Sequence, residues 1–339
     1  MGEQETTHAL VLEIQRLSTE DGPGIRTTVF MKGCALRCAW CHNPESIAMK
    51  PQTQWIGIRC IGCRTCLAVC PHGALSMTEQ GLRIDRERCR GCGRCAEECP
   101  SNALERMGRR YELDELLHEV LKDRVYFEKS GGGVTVSGGE AALQSAFVAA
   151  FFERLAQHGV HTALDTSGYV SFEALSRILP HADMVLYDLK EMDPERHRRF
   201  TDHDNQGILA NFRALVAAMR TSGHPKELWV RTPLIPGATA TKENLNAIGA
   251  FLRAEAAGMV GRWDLCAFNN LCRDKYQRLG LDWPYAATPL LSALELEALL
   301  ETARRSGVDP DIVRAGGSTR ASEGEEAPAP RAETRMSRC

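Results

Sequence analysis

The sequence predicts an α/β protein: an open or partial barrel of parallel strands interrupted by one small insert. Three observations carry this. Six strand signals occur, and five of them alternate with helical patterns after residue 110. Polar motifs fall where those strands end, which is where parallel α/β folds keep their chemistry. Residues 50–105 share neither period and consist of short loops around two cysteine quartets.

The elements follow in order. After an apolar stretch from residue 10 comes the turn Asp21-Gly22-Pro23-Gly24, then the β-branched and apolar run 27–31, a strand. Residues 111–122 read as a helix, with Leu113, Leu116, Leu117, Val120 and Leu121 on one stripe. The remaining strands are expected at 134–136, 162–164, 184–189, 228–234 and 263–268. Helices are expected between and after them, at 143–158, 172–179, 208–219, 241–256 and 294–305. From about residue 315 the chain is rich in Gly, Ser, Glu, Ala and Pro, a composition expected to stay disordered. The expected domains are therefore a barrel of 1–49 with 106–314, an insert of 50–105, and a tail of 315–339.

With 339 residues the chain can bury one large core, or a core plus a small appended domain. It is 43% hydrophobic and 25% charged with a net charge of −3, so there is no electrostatic case for nucleic acid or a membrane surface. No apolar run approaches the roughly 20 residues needed to cross a bilayer, and the N-terminus lacks the pattern of a signal peptide. A cytoplasmic location is expected.

Cysteine is the departure from ordinary composition. There are 14, and 11 lie between Cys34 and Cys99. In a reducing compartment such density indicates metal rather than disulfides. Cys266, Cys272 and Cys339 stand apart and read as ordinary thiols.

Cys34, Cys38 and Cys41 are spaced C-x3-C-x2-C directly after the first strand. Three thiolates can hold three corners of a 4Fe-4S cubane and leave one iron open, as catalytic metal sites do. The alternative is a zinc knuckle with His42 as fourth ligand, although zinc pairs are usually spaced C-x2-C; otherwise His42 lies beside the cluster.

Cys60-x2-Cys63-x2-Cys66-x3-Cys70-Pro71 repeats as Cys89-x2-Cys92-x2-Cys95-x3-Cys99-Pro100. This run is similar to that of bacterial ferredoxins, in which the fourth cysteine ligates the other cluster. Cys60, Cys63, Cys66 and Cys99 then hold one cubane, and Cys89, Cys92, Cys95 and Cys70 the other. Full cysteine ligation suits electron relay, with a purely structural role as the alternative.

Ser137-Gly138-Gly139-Glu140 ends a strand, and glycines there permit close backbone approach to a ligand. Gly131-Gly132-Gly133 is not a phosphate loop, because no Gly-Lys-Ser/Thr follows. Asp165-Thr166-Ser167-Gly168 and Tyr187-Asp188-Leu189-Lys190 also end strands, and Arg231 lies in Val230-Arg231-Thr232-Pro233.

Together, Asp21-Gly22-Pro23-Gly24-Ile25-Arg26-Thr27, Gly33-Cys34 and Trp40-Cys41-His42-Asn43-Pro44-Glu45 resemble the radical S-adenosylmethionine (SAM) superfamily. Within it the chain resembles the activating enzymes of glycyl radical enzymes, to about residue 315. The resemblance implies a partial (β/α)6 radical SAM barrel with an inserted ferredoxin-like domain carrying two 4Fe-4S clusters, making three clusters in all. It implies reductive cleavage of SAM to a 5′-deoxyadenosyl radical, which abstracts hydrogen from a glycine of a partner glycyl radical enzyme.

The same resemblance makes Gly138, Gly139 and Glu140 the turn that receives the cofactor's methionine moiety, with Ala141 where relatives carry proline. It implies cofactor contacts at Trp40, Asp165, Ser167, Asp188 and Lys190, some of them helping to hold a monovalent cation. Arg231 is placed to bind the cofactor carboxylate. Asn269 stands where relatives often have histidine. Ferredoxin or flavodoxin is the implied electron donor, and a monomer is expected. Two rival readings are a radical SAM enzyme acting on a small molecule and a non-enzymatic polyferredoxin; the latter needs no α/β domain of this length.

Overall fold

The computed structural model describes residues 7–320. Strands β1 (His8–Ser18) and β2 (Arg26–Met31) form an antiparallel hairpin around the Asp21–Gly24 turn. The insert follows. Its base is β3 (Gln52–Trp55) paired antiparallel with β6 (Leu104–Met107), and β4 (Leu75–Thr78) with β5 (Gly81–Ile84) forms a hairpin inside it. The chain then returns through β7 (Arg109–Glu112), antiparallel on β1.

From there the fold alternates. Strands β8 (Gly133–Gly138), β9 (His161–Thr166), β10 (Met184–Asp188), β11 (Glu227–Leu234), β12 (Arg262–Ala267) and β13 (Val313–Gly316) run parallel to one another and to β2. The main sheet has nine strands in the order β13-β12-β11-β10-β9-β8-β2-β1-β7. Its end strands do not pair, so the barrel is open. All six expected strands are present.

Two expectations change. Residues 109–112 are strand, so the helix expected from 111 begins only at Leu113. Arg109, Arg110 and Glu112 leave no buried alternation to announce an edge strand. The boundary at 315 falls inside β13, of which only Val313 is buried; the rest of the expected disordered tail, 321–339, lies outside the described residues.

The barrel core is one apolar cluster in which Trp263, Phe147, Phe151, Phe152 and Phe212 are fully buried. The stripe foreseen on the helix Leu113–Leu121 buries Leu116, Leu117 and Val120 against it. Side-chain caps fix helix entries: Thr241 accepts from Asn244, and Ser292 with Glu295 makes a reciprocal capping box. The insert has a far smaller core of Cys66, Leu82, Cys95 and Leu104. Two of those four are cysteines, so apolar burial alone leaves this segment weakly held.

Among the described residues no helix is long and apolar enough to cross a membrane.

Candidate active site

A cavity of about 350 Å³ opens at the carboxyl ends of β2 and of β8 through β12. The loop after β2 forms one wall. Gly33 N–H donates to Ser46 O at 2.6 Å and Cys34 N–H to Ile47 O at 3.1 Å, which folds the loop back on itself. Arg37 and Ala39 donate their backbone N–H groups to Thr201 O and Phe200 O. From the far side, Tyr276 OH donates to Cys41 O at 2.9 Å and Trp283 Nε1 to Ala39 O at 3.1 Å. The loop backbone is thus bonded to its surroundings, and the three thiols are left to line the cavity.

Burial pushes Cys34 up to about 12, and pushes Cys38 and Cys41 up as well. A bare thiolate trio is untenable in such a place, whereas cationic iron can replace the protons. Among the described residues no three His, Cys, Asp or Glu side chains draw in closely enough to cage a single ion. His42 Nε2 lies 3.0 Å from Asn269 O, so the ring is tied to the late loop beside Cys41 and is not offered as a fourth ligand. The residues present therefore fit a three-cysteine 4Fe-4S site.

The turn after β8 meets this loop directly. Gly139 N–H donates to Met31 O at 3.0 Å and Glu140 N–H to Gly33 O at 2.7 Å. A Cβ on Gly139 would lie 2.2 Å from Gly33 O and 3.1 Å from the Cys34 Cβ, so glycine is required by close approach.

Glu140 differs from its expected position. Its carboxylate does not line the cavity and is only 2% exposed. Oε1 accepts from Thr166 Oγ1 at 2.7 Å and Ala142 N at 3.1 Å; Oε2 accepts from Ser167 N at 2.9 Å and Ser167 Oγ at 2.6 Å. It ties the β8 turn to the end of β9. Ser167 lines the cavity while making those bonds.

Opposite lie two pairs of opposed charges. Asp165 accepts from Ser137 Oγ at 2.6 Å and faces Arg231 Nη1 at 3.4 Å. Burial pushes the Asp165 carboxyl up to about 6, with Arg231 pulling the other way. Arg231 also reaches Asp21 at 3.7 Å. Burial opposes its charge, but Asp165 and the neighbouring acids hold it more firmly protonated than usual. Lys190 is ion-paired to Asp188 and held protonated in the same way, against its burial. Such a wall suits a ligand carrying both charges.

Of the expected contacts, Trp40, Gly138, Gly139, Asp165, Ser167, Asp188, Lys190, Arg231 and Asn269 line this one cavity. Asn269 turns its Oδ1 to Leu271 N at 3.2 Å, within its own loop. Sequence reasoning missed Ser137, Ile235, Cys266 and Phe268, all in the wall. Asp21 was visible in its Gly-Pro-Gly turn but had no signal of its pairing with Arg231.

Within the insert, one small cavity is lined by Cys60, Cys63, Cys66 and Cys99 and another by Cys70, Cys89, Cys92 and Cys95. Each cavity gathers three cysteines of one run and the fourth of the other. Cys70 Sγ accepts from Ala74 N at 3.4 Å and Cys99 Sγ from Ala103 N at 3.3 Å, the same N–H···S bond in each half.

Comparison with known proteins agrees with this geometry. Residues 84–245 match the radical SAM superfamily, residues 59–103 a 4Fe-4S dicluster domain, and residues 20–74 a 4Fe-4S single cluster domain. The trans-4-hydroxy-L-proline dehydratase activating enzyme of Clostridioides difficile is 40% identical over 80% of this chain and 87% of its own. The (2S)-3-sulfopropanediol dehydratase activating enzyme of Klebsiella oxytoca is 38% identical over 81% and 86%. The pyruvate formate-lyase 2-activating enzyme of Escherichia coli is 36% identical over 90% and 92%. With that identity across most of its length and a three-cysteine cavity at the strand ends, the chain belongs to the radical SAM activating enzymes of glycyl radical enzymes.

Proposed function

We propose that the chain binds three 4Fe-4S clusters, one on Cys34, Cys38 and Cys41 and two on the interleaved quartets of the insert. SAM occupies the neighbouring cavity. When bound, the three-cysteine cluster supplies the electron that splits the sulfonium carbon–sulfur bond, and the resulting adenosyl radical takes hydrogen from a glycine of the partner enzyme.

The chain's own residues bind, orient and exclude. Arg231 offers two parallel donors to the cofactor carboxylate. Gly138 and Gly139 bring backbone against the methionine moiety, and Ser167 stands beside them, fixed by Glu140. Asp165 and Asp188 balance positive charge, on the sulfonium or on a monovalent cation. Trp40 and Phe268 keep water from the wall. No side chain acts as acid or base, because a radical removes the hydrogen.

The protein works as a cytoplasmic monomer, reduced by ferredoxin or flavodoxin. The partner is a glycyl radical dehydratase or lyase whose glycine loop enters the open mouth. The observation that carries this reading is the convergence of three half-buried thiols and the Asp165–Arg231 pair on one cavity. To test it, the reconstituted, reduced protein is incubated anaerobically with SAM and the glycyl radical enzymes encoded nearby. A glycine-centred paramagnetic signal on one of them is expected. 5′-Deoxyadenosine without such a signal on any of them overturns it in favour of a small-molecule substrate.

A further inference from the structure

Strand β3 carries two buried donors that have nothing to bond. Thr53 Oγ1 and Trp55 Nε1 are shut off from solvent and make no hydrogen bond to any described residue. They stand two residues apart, so their side chains leave the same face of the strand. The residues of the opposite face are bonded: Gln52 Oε1 accepts from Lys32 Nζ at 3.0 Å, and Gln54 Nε2 donates to Glu105 Oε2 at 2.7 Å.

The face shared by Thr53 and Trp55 meets both cysteine groups. Thr53 lines the cavity of Cys70, Cys89, Cys92 and Cys95, and Trp55 lines that of Cys60, Cys63, Cys66 and Cys99. Burial pushes the Cys95 thiol up, and the Thr53 hydroxyl stands close enough to pull it the other way, yet short of a formed bond.

Each donor is held where it is. Arg86 donates to Thr53 O and also reaches Leu279 O, at 3.2 Å, in the helix Arg273–Leu279. A Cβ on Gly91 would lie 2.1 Å from Pro51 O, so the Cys89–Cys92 loop is pressed on the segment entering β3. The Thr53 cavity therefore lies on the barrel side. The Trp55 indole is confined from its far end: a Cβ on Gly81 would lie 2.1 Å from its Cη2 and one on Gly57 3.1 Å.

The fold itself does not call for a hydroxyl at 53. Valine has the same shape, whereas a buried donor left unpaired costs about 1–3 kcal/mol. An acceptor that arrives with the metal removes that cost. A ligating thiolate is charged and accepts strongly, and hydrogen bonds to cluster sulfurs help to set reduction potential.

We propose that β3 supplies one sulfur-directed donor to each cluster of the insert: Thr53 Oγ1–H to Cys95 Sγ on the barrel side, and Trp55 Nε1–H to a ligand sulfur of the other. A cluster that takes one electron gains one negative charge, which a donor to its sulfur stabilises. Each donor thus raises the potential of its own cluster, and no bond forms or breaks. This rests on the cluster content proposed above.

The test is a mediated potentiometric titration, followed by electron paramagnetic resonance, of the reconstituted full chain carrying Cys34→Ala, so that only the insert's two midpoints are read. Thr53→Val is expected to lower one midpoint by roughly a tenfold change in equilibrium constant, which is 59 mV for one electron. Trp55→Phe is expected to lower the other to a similar extent. Thr53→Ser keeps the hydroxyl but leaves the larger gap in packing, and it should move neither midpoint by more than about twofold in that constant. A shift in Thr53→Ser as large as in Thr53→Val, or the same midpoint moving in Thr53→Val and Trp55→Phe, overturns the proposal. An insert with no reducible cluster in Cys34→Ala sinks the cluster reading and the donors with it, whereas two midpoints that no variant moves sink only the donors.

Discussion

The Arg231 guanidinium lies 3.7 Å from Asp21, although β11 and the β1–β2 turn are separated in the sheet by β10, β9 and β8. The sheet must curl for these two to meet, and the cavity is the space that curl encloses. Replacing Arg231 by Gln leaves Asp21 and the buried Asp165 without their cation. We expect a loss of about 2–3 kcal/mol in stability and at least a roughly tenfold weaker grip on SAM. Thermal unfolding and equilibrium dialysis measure the two separately.

Asp165 makes the cavity sensitive to pH. Its carboxyl, pushed up to about 6 by burial, is charged at pH 7 and takes a proton as pH falls through that value. One negative charge then leaves the wall facing a sulfonium cation. SAM affinity is expected to fall between about pH 7 and pH 5, and Asp165→Asn to be weaker at pH 7 but nearly flat over that range. A pH series of binding isotherms that runs parallel for both proteins refutes this.

Glu140 acts by position. Its two oxygens accept from four donors, so Glu140→Gln forces an amide N–H₂ against at least one N–H or O–H. The expected cost is about 2 kcal/mol, read in urea unfolding, with 5′-deoxyadenosine formation falling as the β8 and β9 turns part. Full stability in the variant would show that these bonds are not needed.

The proposed cluster content is tested by subtraction. Cys34→Ala is expected to lose about a third of the iron and all SAM cleavage. Cys92→Ala should lose a comparable amount while cleavage with dithionite persists. Iron analysis with product quantification decides, and full iron in either variant contradicts the ligand assignment.

The clamp on the cluster loop is tested by Tyr276→Phe. It deletes one hydrogen bond to Cys41 O and keeps the ring stacked on Trp283. About 1 kcal/mol of local stability should go, seen as severalfold faster iron release to a chelator. Unaltered release would mean that Trp283 and its neighbours hold the loop alone.

Much of the site was legible because its signals are local. Cysteine spacing stands out regardless of how the chain folds, and each of the six expected strands announced itself by a short apolar or β-branched run. The misses were of two kinds. The edge strands β7 and β13 bury too little to leave a pattern. Residues such as Cys266 and Phe268 carry no motif; each becomes part of the wall only because its strand ends there.

By itself the sequence determined the cysteine spacing, the alternation that makes a parallel sheet, and the strand ends that bear the polar motifs. Those properties depend on spacing over a few residues. Only the tertiary structure decided that Arg231 serves both Asp165 and Asp21, and that Glu140 faces inward to Ser167 and Thr166. It also decided which cysteine quartet lies against the barrel. Each of these depends on how the sheet curls and how the insert packs, and they bring together residues that no local period connects.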